Sequence, residues 1–180
     1  MIEGTLVNLR ARELGDAPAS TRWASDEELL RLMGDRYQQS FAATEASVRS
    51  YVAKPLSFDE PRFAIETKDG RHIGGMRLFN MSAEDRRARL AILIGEPEYQ
   101  SRGYGSDALR TFMHFVFEEM NLNRLDLDVF AFNARALATY RKLGFVDEGR
   151  RRGAQYSRGA YHDVIIMSML RDEWLQARDA

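Results

Sequence analysis

The chain contains no cysteine, which excludes disulfides, thiolate metal ligands and a cysteine nucleophile. It also has almost no net charge: 26 lysines and arginines against 27 aspartates and glutamates leave −1 at pH 7. Without a positive field there is no general attraction for nucleic acid or an anionic membrane, so any phosphate must be held by a local site. No segment approaches the uninterrupted apolar length that a membrane helix needs, and the opening Met1-Ile2-Glu3-Gly4 lacks a basic stretch followed by an apolar run. Internal repeats and low-complexity tracts are missing as well. The three histidines, His72, His114 and His162, are scattered without ligand spacing, so no metal is expected. What is present is ordinary for one soluble globular domain spanning 1–180 and residing in the cytoplasm: 180 residues, 44% hydrophobic and 29% charged.

Hydrophobic periodicity divides the chain into short elements. Thr5 to Arg10 alternates as an opening strand, and a polar connection leads to helical patches at Asp26 to Met33 and Glu45 to Val52, the second closed by Pro55. Phe63 to Glu66 and Ile73 to Phe79 read as two strands joined at Asp69-Gly70, a dipeptide whose positions tolerate positive φ. The charged segment Met81 to Arg89 then turns the chain into Leu90-Ala91-Ile92-Leu93-Ile94, apolar at every position as in a strand covered on both faces. Gly95-Glu96-Pro97 stops it. A helix over Ser106 to Met120, a strand over Arg124 to Phe130 and a helix over Ala134 to Leu143 follow. Two strands, Phe145 to Tyr156 and His162 to Leu170, finish the pattern, with Gly149, Gly153 and Gly159 suggesting a long hairpin connection. This order predicts a mixed α/β layer fold with a partly antiparallel sheet and helices covering both faces.

Three places carry chemistry. In Gln100-Ser101-Arg102-Gly103-Tyr104-Gly105 the glycines permit a tight turn, and a helix begins at Ser106. Unpaired N–H groups and the positive end of a helix dipole then converge beside Arg102, which is an arrangement for an anion. In Leu125-Asp126-Leu127-Asp128-Val129 both carboxylates fall on one face of a strand. Burying them unpaired costs several kcal/mol each, so that face either borders a wet groove or is paired with cations. Finally, Asn133 and Tyr140 are seven residues apart, two turns along one helix face, and can line the same groove.

These motifs resemble the GNAT superfamily of acetyl-CoA-dependent N-acetyltransferases, whose pyrophosphate loop reads Gln/Arg-x-x-Gly-x-Gly/Ala and whose later signature is Asn, Tyr seven residues on, then Gly-Phe; here these are Gln100 to Gly105, Asn133, Tyr140 and Gly144-Phe145. The resemblance implies a mostly antiparallel sheet with splayed central strands. It also implies a cosubstrate site made by Leu93, Ile94, Gly95, Gln100, Ser101, Arg102, Gly103, Tyr104, Gly105, Ser106, Asn133 and Tyr140. In that scheme Asn133 holds the pantetheine arm, Tyr140 protonates the leaving thiolate, and backbone N–H groups between Leu93 and Gly95 polarise the thioester carbonyl. An alkylamine is protonated at neutral pH and needs a base, for which Asp128 and Glu96 are the two candidates. Asp128 stands where the resembling N-terminal acetyltransferases carry a glutamate, so a bridging water is implied. Arg150-Arg151-Arg152 reads as a solvated loop or as rim contacts to an acidic acceptor or a CoA phosphate. The ending Gly159 to Leu170 with Glu173-Trp174 resembles the ribosomal-protein and spermidine acetyltransferase branches. The implied acceptor is a primary amine, on a protein N-terminus, a polyamine or another small molecule, and the implied assembly includes a homodimer. The competing reading is a non-catalytic acyl-CoA-binding sensor or scaffold that keeps the loop without the chemistry.

Overall fold

The computed structural model describes residues 1–53 and 60–179, so the expected helix stop at Pro55 lies outside the described residues. The strands are β1 (Ile2–Glu3), β2 (Val7–Ala11), β3 (Arg62–Thr67), β4 (His72–Ser82), β5 (Arg87–Ile94), β6 (Arg124–Phe130), β7 (Val146–Ser157) and β8 (Ala160–Leu170). They form one eight-stranded sheet in the order β1-β2-β3-β4-β5-β6-β8-β7. Every neighbouring pair is antiparallel except β5 and β6. That parallel pair is short: it joins Arg87 to Arg124, Ala88 to Leu125 and Arg89 to Asp126, and records no partners beyond. From Leu90 and Leu127 onward the two strands part, and the gap between them is where the sheet offers unpaired backbone.

The helices are α1 (Ala17–Trp23), α2 (Glu27–Met33), α3 (Phe41–Val52), α4 (Tyr104–His114), α5 (Ala134–Lys142) and α6 (Arg171–Asp179). Amphipathic α4 sends Leu109, Phe112 and Met113 into a core with Ile65, Leu78 and Leu90 of the sheet. Its Asp107 is almost fully buried and accepts from the N–H groups of Leu6 at 2.7 Å and Val7 at 3.1 Å, tying the start of β2 to the helix. Against β5, Trp23 of α1 lies directly on Gly95, where a Cβ would overlap the indole. The helix expected over Ser106 to Met120 begins two residues earlier and passes into a π-helical turn over Phe115–Glu119. That turn buries Val116 and Phe117.

Several expectations shift. The polar connection before Asp26 contains α1, whose Pro18 sits in the first turn, where its missing N–H costs nothing. Instead of a long hairpin connection, β7 continues unbroken through Gly149 and Gly153, which lie where its register against β8 shifts. The reversal is the two-residue turn Arg158-Gly159, both at positive φ (49° and 80°), a geometry suited to the twist of the flanking strands. After Leu170 the chain enters α6, with the Glu173 carboxylate accepting from the Leu170 N–H at 2.9 Å. The run Leu90 to Ile94, expected to be covered on both faces, is buried only at Leu90; its last four residues are half-buried because they border the gap.

Candidate functional site

The gap between β5 and β6 opens into a cavity of about 540 Å³. At one end the chain leaves β5 through a short 3₁₀ turn, Pro97–Tyr99, and reaches Ser101 at φ 57° and Gly103 at φ 89° before α4 starts. Left-handed backbone at Gly103 lets the chain turn without a Cβ in the way. A Cβ on Gly105 would meet only the Ile94 side chain, at 3.4 Å. The first N–H groups of α4 have no helical acceptor and face the cavity end lined by Gly103, Gly105 and Ser106. Gln100 locks the loop to the strand by donating from Nε2 to the Ile94 carbonyl at 3.0 Å. Its Oε1 accepts from Arg135 Nη1 at 2.9 Å, which brings a cation from α5 over the loop. This end is an anion cradle of backbone donors, a helix dipole and an arginine.

The middle is set by the ladder. Gly95 donates its N–H to the Ile73 carbonyl at 2.9 Å, and Gly75 pairs with Leu93. Antiparallel alternation therefore turns the N–H groups of Leu93 and Gly95 toward β4 and those of Ile92 and Ile94 toward the gap. Of the three residues expected to present donors there, Ile94 does so, and Ile92 joins it. Across the gap Asn133 caps α5, its Oδ1 accepting from the Ala136 N–H at 3.1 Å. The cap uses the amide oxygen and leaves the NH₂ available to the cavity, which Asn133 lines. Tyr140 lines it too, packed edge-on against Phe145 at 5.6 Å between ring centroids. Burial pushes its phenol up to about 12, so the hydroxyl keeps its proton at neutral pH.

The far end is made of side chains. Arg77 and Phe79 of β4, Arg89 of β5 and Asp128 of β6 share one face of the sheet, as their pairings Arg77–Ala91, Phe79–Arg89 and Arg89–Asp126 require. Asp128 is clamped: Arg89 holds Oδ1 and Arg151 of β7 holds Oδ2. Asp126, by contrast, pairs with Arg124 on its own strand at 2.6 Å. Both readings of the two-aspartate strand thus hold together, since the face borders a groove and both carboxylates are paired.

Leu93, Ile94, Gln100, Ser101, Gly103, Gly105, Ser106, Asp128, Asn133 and Tyr140 all line this one cavity. Four expected residues stand apart. Gly95 lies beneath Trp23. Arg102 is exposed and donates to the Glu98 carbonyl at 3.1 Å. Tyr104 packs edge-on against Tyr99 at 5.0 Å. Glu96 is buried outside the cavity lining, its Oε1 accepting from Arg22 at 2.5 Å and from the Trp23 indole at 3.2 Å. Sequence reading missed Arg77, Arg89 and Arg135, because no local pattern says that residues from three separate elements line one cavity. Among the described residues, no group of three His, Asp or Glu side chains is placed to hold a metal, and no helix is long and apolar enough to cross a membrane.

Residues 7–146 match the family model described as the acetyltransferase (GNAT) domain. A prophage-derived uncharacterized N-acetyltransferase of Bacillus subtilis is 28% identical over 149 residues, covering 83% of this chain and 82% of that protein. The spermidine N(1)-acetyltransferase of Escherichia coli K12 is 35% identical over 116 residues, 64% of this chain and 61% of its relative. Among solved structures, the spermidine N-acetyltransferase of Vibrio cholerae in complex with CoA and spermine superposes with a TM-score of 0.86 at 26% identity, over 94% of this chain and 98% of the other.

Proposed function

We propose that this chain, which belongs to the GNAT acetyltransferase family and is an acetyl-CoA-dependent N-acetyltransferase, passes the acetyl group directly to a primary amine bound at the arginine-lined end of its cavity. One observation carries the reading: a single cavity joins the anion cradle at Gly103 to Ser106 with Tyr140 and with Asp128. The pyrophosphate lies on the first turn of α4 beside Arg135, and the neutral pantetheine arm extends β5 by pairing with the unpaired edge at Ile92 and Ile94. Asn133 steadies the arm through its NH₂. The thioester carbonyl, at the end of the arm farther from the pyrophosphate, accepts from the Ile92 N–H, which leaves Ile94 to a pantetheine amide and stabilises the developing oxyanion.

The amine attacks from the Asp128 side. Asp128 withdraws a proton through water, because its two oxygens already hold guanidinium groups and one methylene fewer than glutamate shortens its reach. Tyr140 gives its proton to the sulfur as the C–S bond breaks and takes up the second proton of the acetylated nitrogen, which restores the phenol; with that phenol near 12 against about 8.5 for a thiol, the strongly acidic nitrogen drives the exchange. Glu96 acts as a brace for α1 instead of a base. The chain has no cysteine to carry the acyl group, which fits direct transfer with both substrates bound at once. Initial-rate kinetics with varied acetyl-CoA and amine should give intersecting double-reciprocal lines. Parallel lines would mean an acyl-enzyme and would contradict direct transfer.

A further inference from the structure

We infer that the acceptor is a primary amine that also carries a carboxylate, not a polyamine; this narrows the acceptor of the proposed function and rests on that reading. Among the described residues lining the cavity the only carboxylate is Asp128, against the four arginines Arg77, Arg89, Arg135 and Arg151. Arg135 belongs to the phosphate end through its bond to Gln100. The other three sit at the acceptor end: Arg89 is five residues up β5 from Ile94, about 16 Å at strand spacing. There, three guanidinium groups face one aspartate, a surplus of two positive charges in a partly enclosed space.

The arginines are also differently engaged. Arg89 and Arg151 share Asp128 between them. Arg77 lies over the Phe79 ring, 4.9 Å from its centroid, and has no carboxylate in ion-pair reach among the described residues. A polycation entering this end meets like charge, with its single counter-charge already clamped, which is a repulsive design against it. A carboxylate entering it finds a planar donor fork at Arg77 and a second at Arg151. Docking there competes with Asp128 for Arg151 and returns a carboxylate oxygen to the ammonium of the same molecule. The acceptor's acid therefore frees the group that receives the acceptor's proton. Leu29, Leu32 and Met33 add apolar surface to the same cavity, which suits a compact zwitterion better than an extended chain of ammonium groups.

The test is a matched panel: amino acids from glycine to 5-aminopentanoate, their amides, 1,3-diaminopropane, spermidine, and two tripeptides with acidic or basic N-terminal residues. Each is assayed twice, by CoA release from acetyl-CoA and by calorimetric binding to protein saturated with CoA. The best amino acid should exceed its own amide about 10- to 100-fold in kcat/KM and in affinity, the worth of a charge-assisted hydrogen bond. Arg77→Gln should erase that preference while acetyl-CoA affinity holds. Preference for the acidic tripeptide over every free amino acid would place the carboxylate on a protein terminus, and would overturn the small-molecule source. Spermidine or the diamine winning in either assay, or equal behaviour of acid and amide, overturns the inference while leaving the acetyltransferase intact. Acid-selective binding without turnover of any amine would support this pocket and contradict the proposed chemistry, so the two failures read differently.

Discussion

The two ends of the cavity are built from different materials. The proposed cosubstrate end is mostly backbone: a left-handed glycine, the first turn of α4 and the open edge of β5 lie within residues 92 to 106, with the Arg135 side chain of α5 laid over them. The proposed acceptor end is side chain: guanidinium groups from β4, β5 and β7 with one carboxylate from β6. Backbone donors sit where the fold puts them and tolerate changes of side chain, which suits a cosubstrate that every relative must bind. Side-chain charges can be exchanged one at a time without moving the sheet, which suits a part that must differ between enzymes.

That contrast sets the order of expected effects. The largest belongs to Tyr140, which serves both ends: Tyr140→Phe keeps the ring against Phe145, and kcat should fall about 10²- to 10⁴-fold while acetyl-CoA affinity by calorimetry stays at the parental value. Because burial holds the phenol near 12, the parental kcat profile should show no falling limb from Tyr140 below about pH 10, and a limb near neutrality that vanishes in the Phe variant would contradict the assignment. Next comes Gly103→Val. A β-branched residue at φ 89° strains the turn and lifts the backbone off the pyrophosphate, weakening acetyl-CoA by about 10- to 100-fold with the circular dichroism of the fold retained. Unchanged affinity in the folded variant would remove the phosphate from this loop.

Asp128→Asn acts at the other end. It should lower kcat/KM most at low pH, where free amine is scarce, and be partly rescued at high pH as the acceptor loses its own proton. A uniform loss at all pH values would leave Asp128 as a brace for Arg89 and Arg151 only. The smallest effect lies outside the cavity. Arg124 and Ser168 hold the Glu148 carboxyl down to about 2 from an ordinary 4.5, so the ionised form favours the fold. That stabilisation is complete above pH 4.5 and drains away as pH falls toward 2. Glu148→Gln should therefore lower Tm by about 2 °C at pH 7, with the difference from the parent closing near pH 2.

The same contrast explains what the sequence discloses. The cosubstrate end is legible because its parts are contiguous: glycines two apart, a helix start and an apolar strand need only local rules. Asn133 and Tyr140 are legible for the same reason, since one helix face relates them. The acceptor end depends on register between strands far apart in the chain. Nothing local to Arg77, Arg89 or Arg151 says that they line one cavity with Asp128; that follows from Arg77–Ala91 and Phe79–Arg89 pairing and from the curl of β7. Glu96 shows the converse, a carboxylate next to the right strand whose partners Arg22 and Trp23 belong to a helix hidden in a polar connection.

Amide hydrogen exchange, read residue by residue with and without saturating acetyl-CoA, tests the backbone-built cosubstrate end most directly, because it reports the very N–H groups assigned to it. Acetyl-CoA should slow exchange at Ile92 and Ile94 and across Tyr104 to Ser106, and leave the amides around Arg151 on β7 unchanged until an acceptor is added. Slowed exchange at β7 with acetyl-CoA alone, and none at Ile94 or Tyr104 to Ser106, would contradict the account.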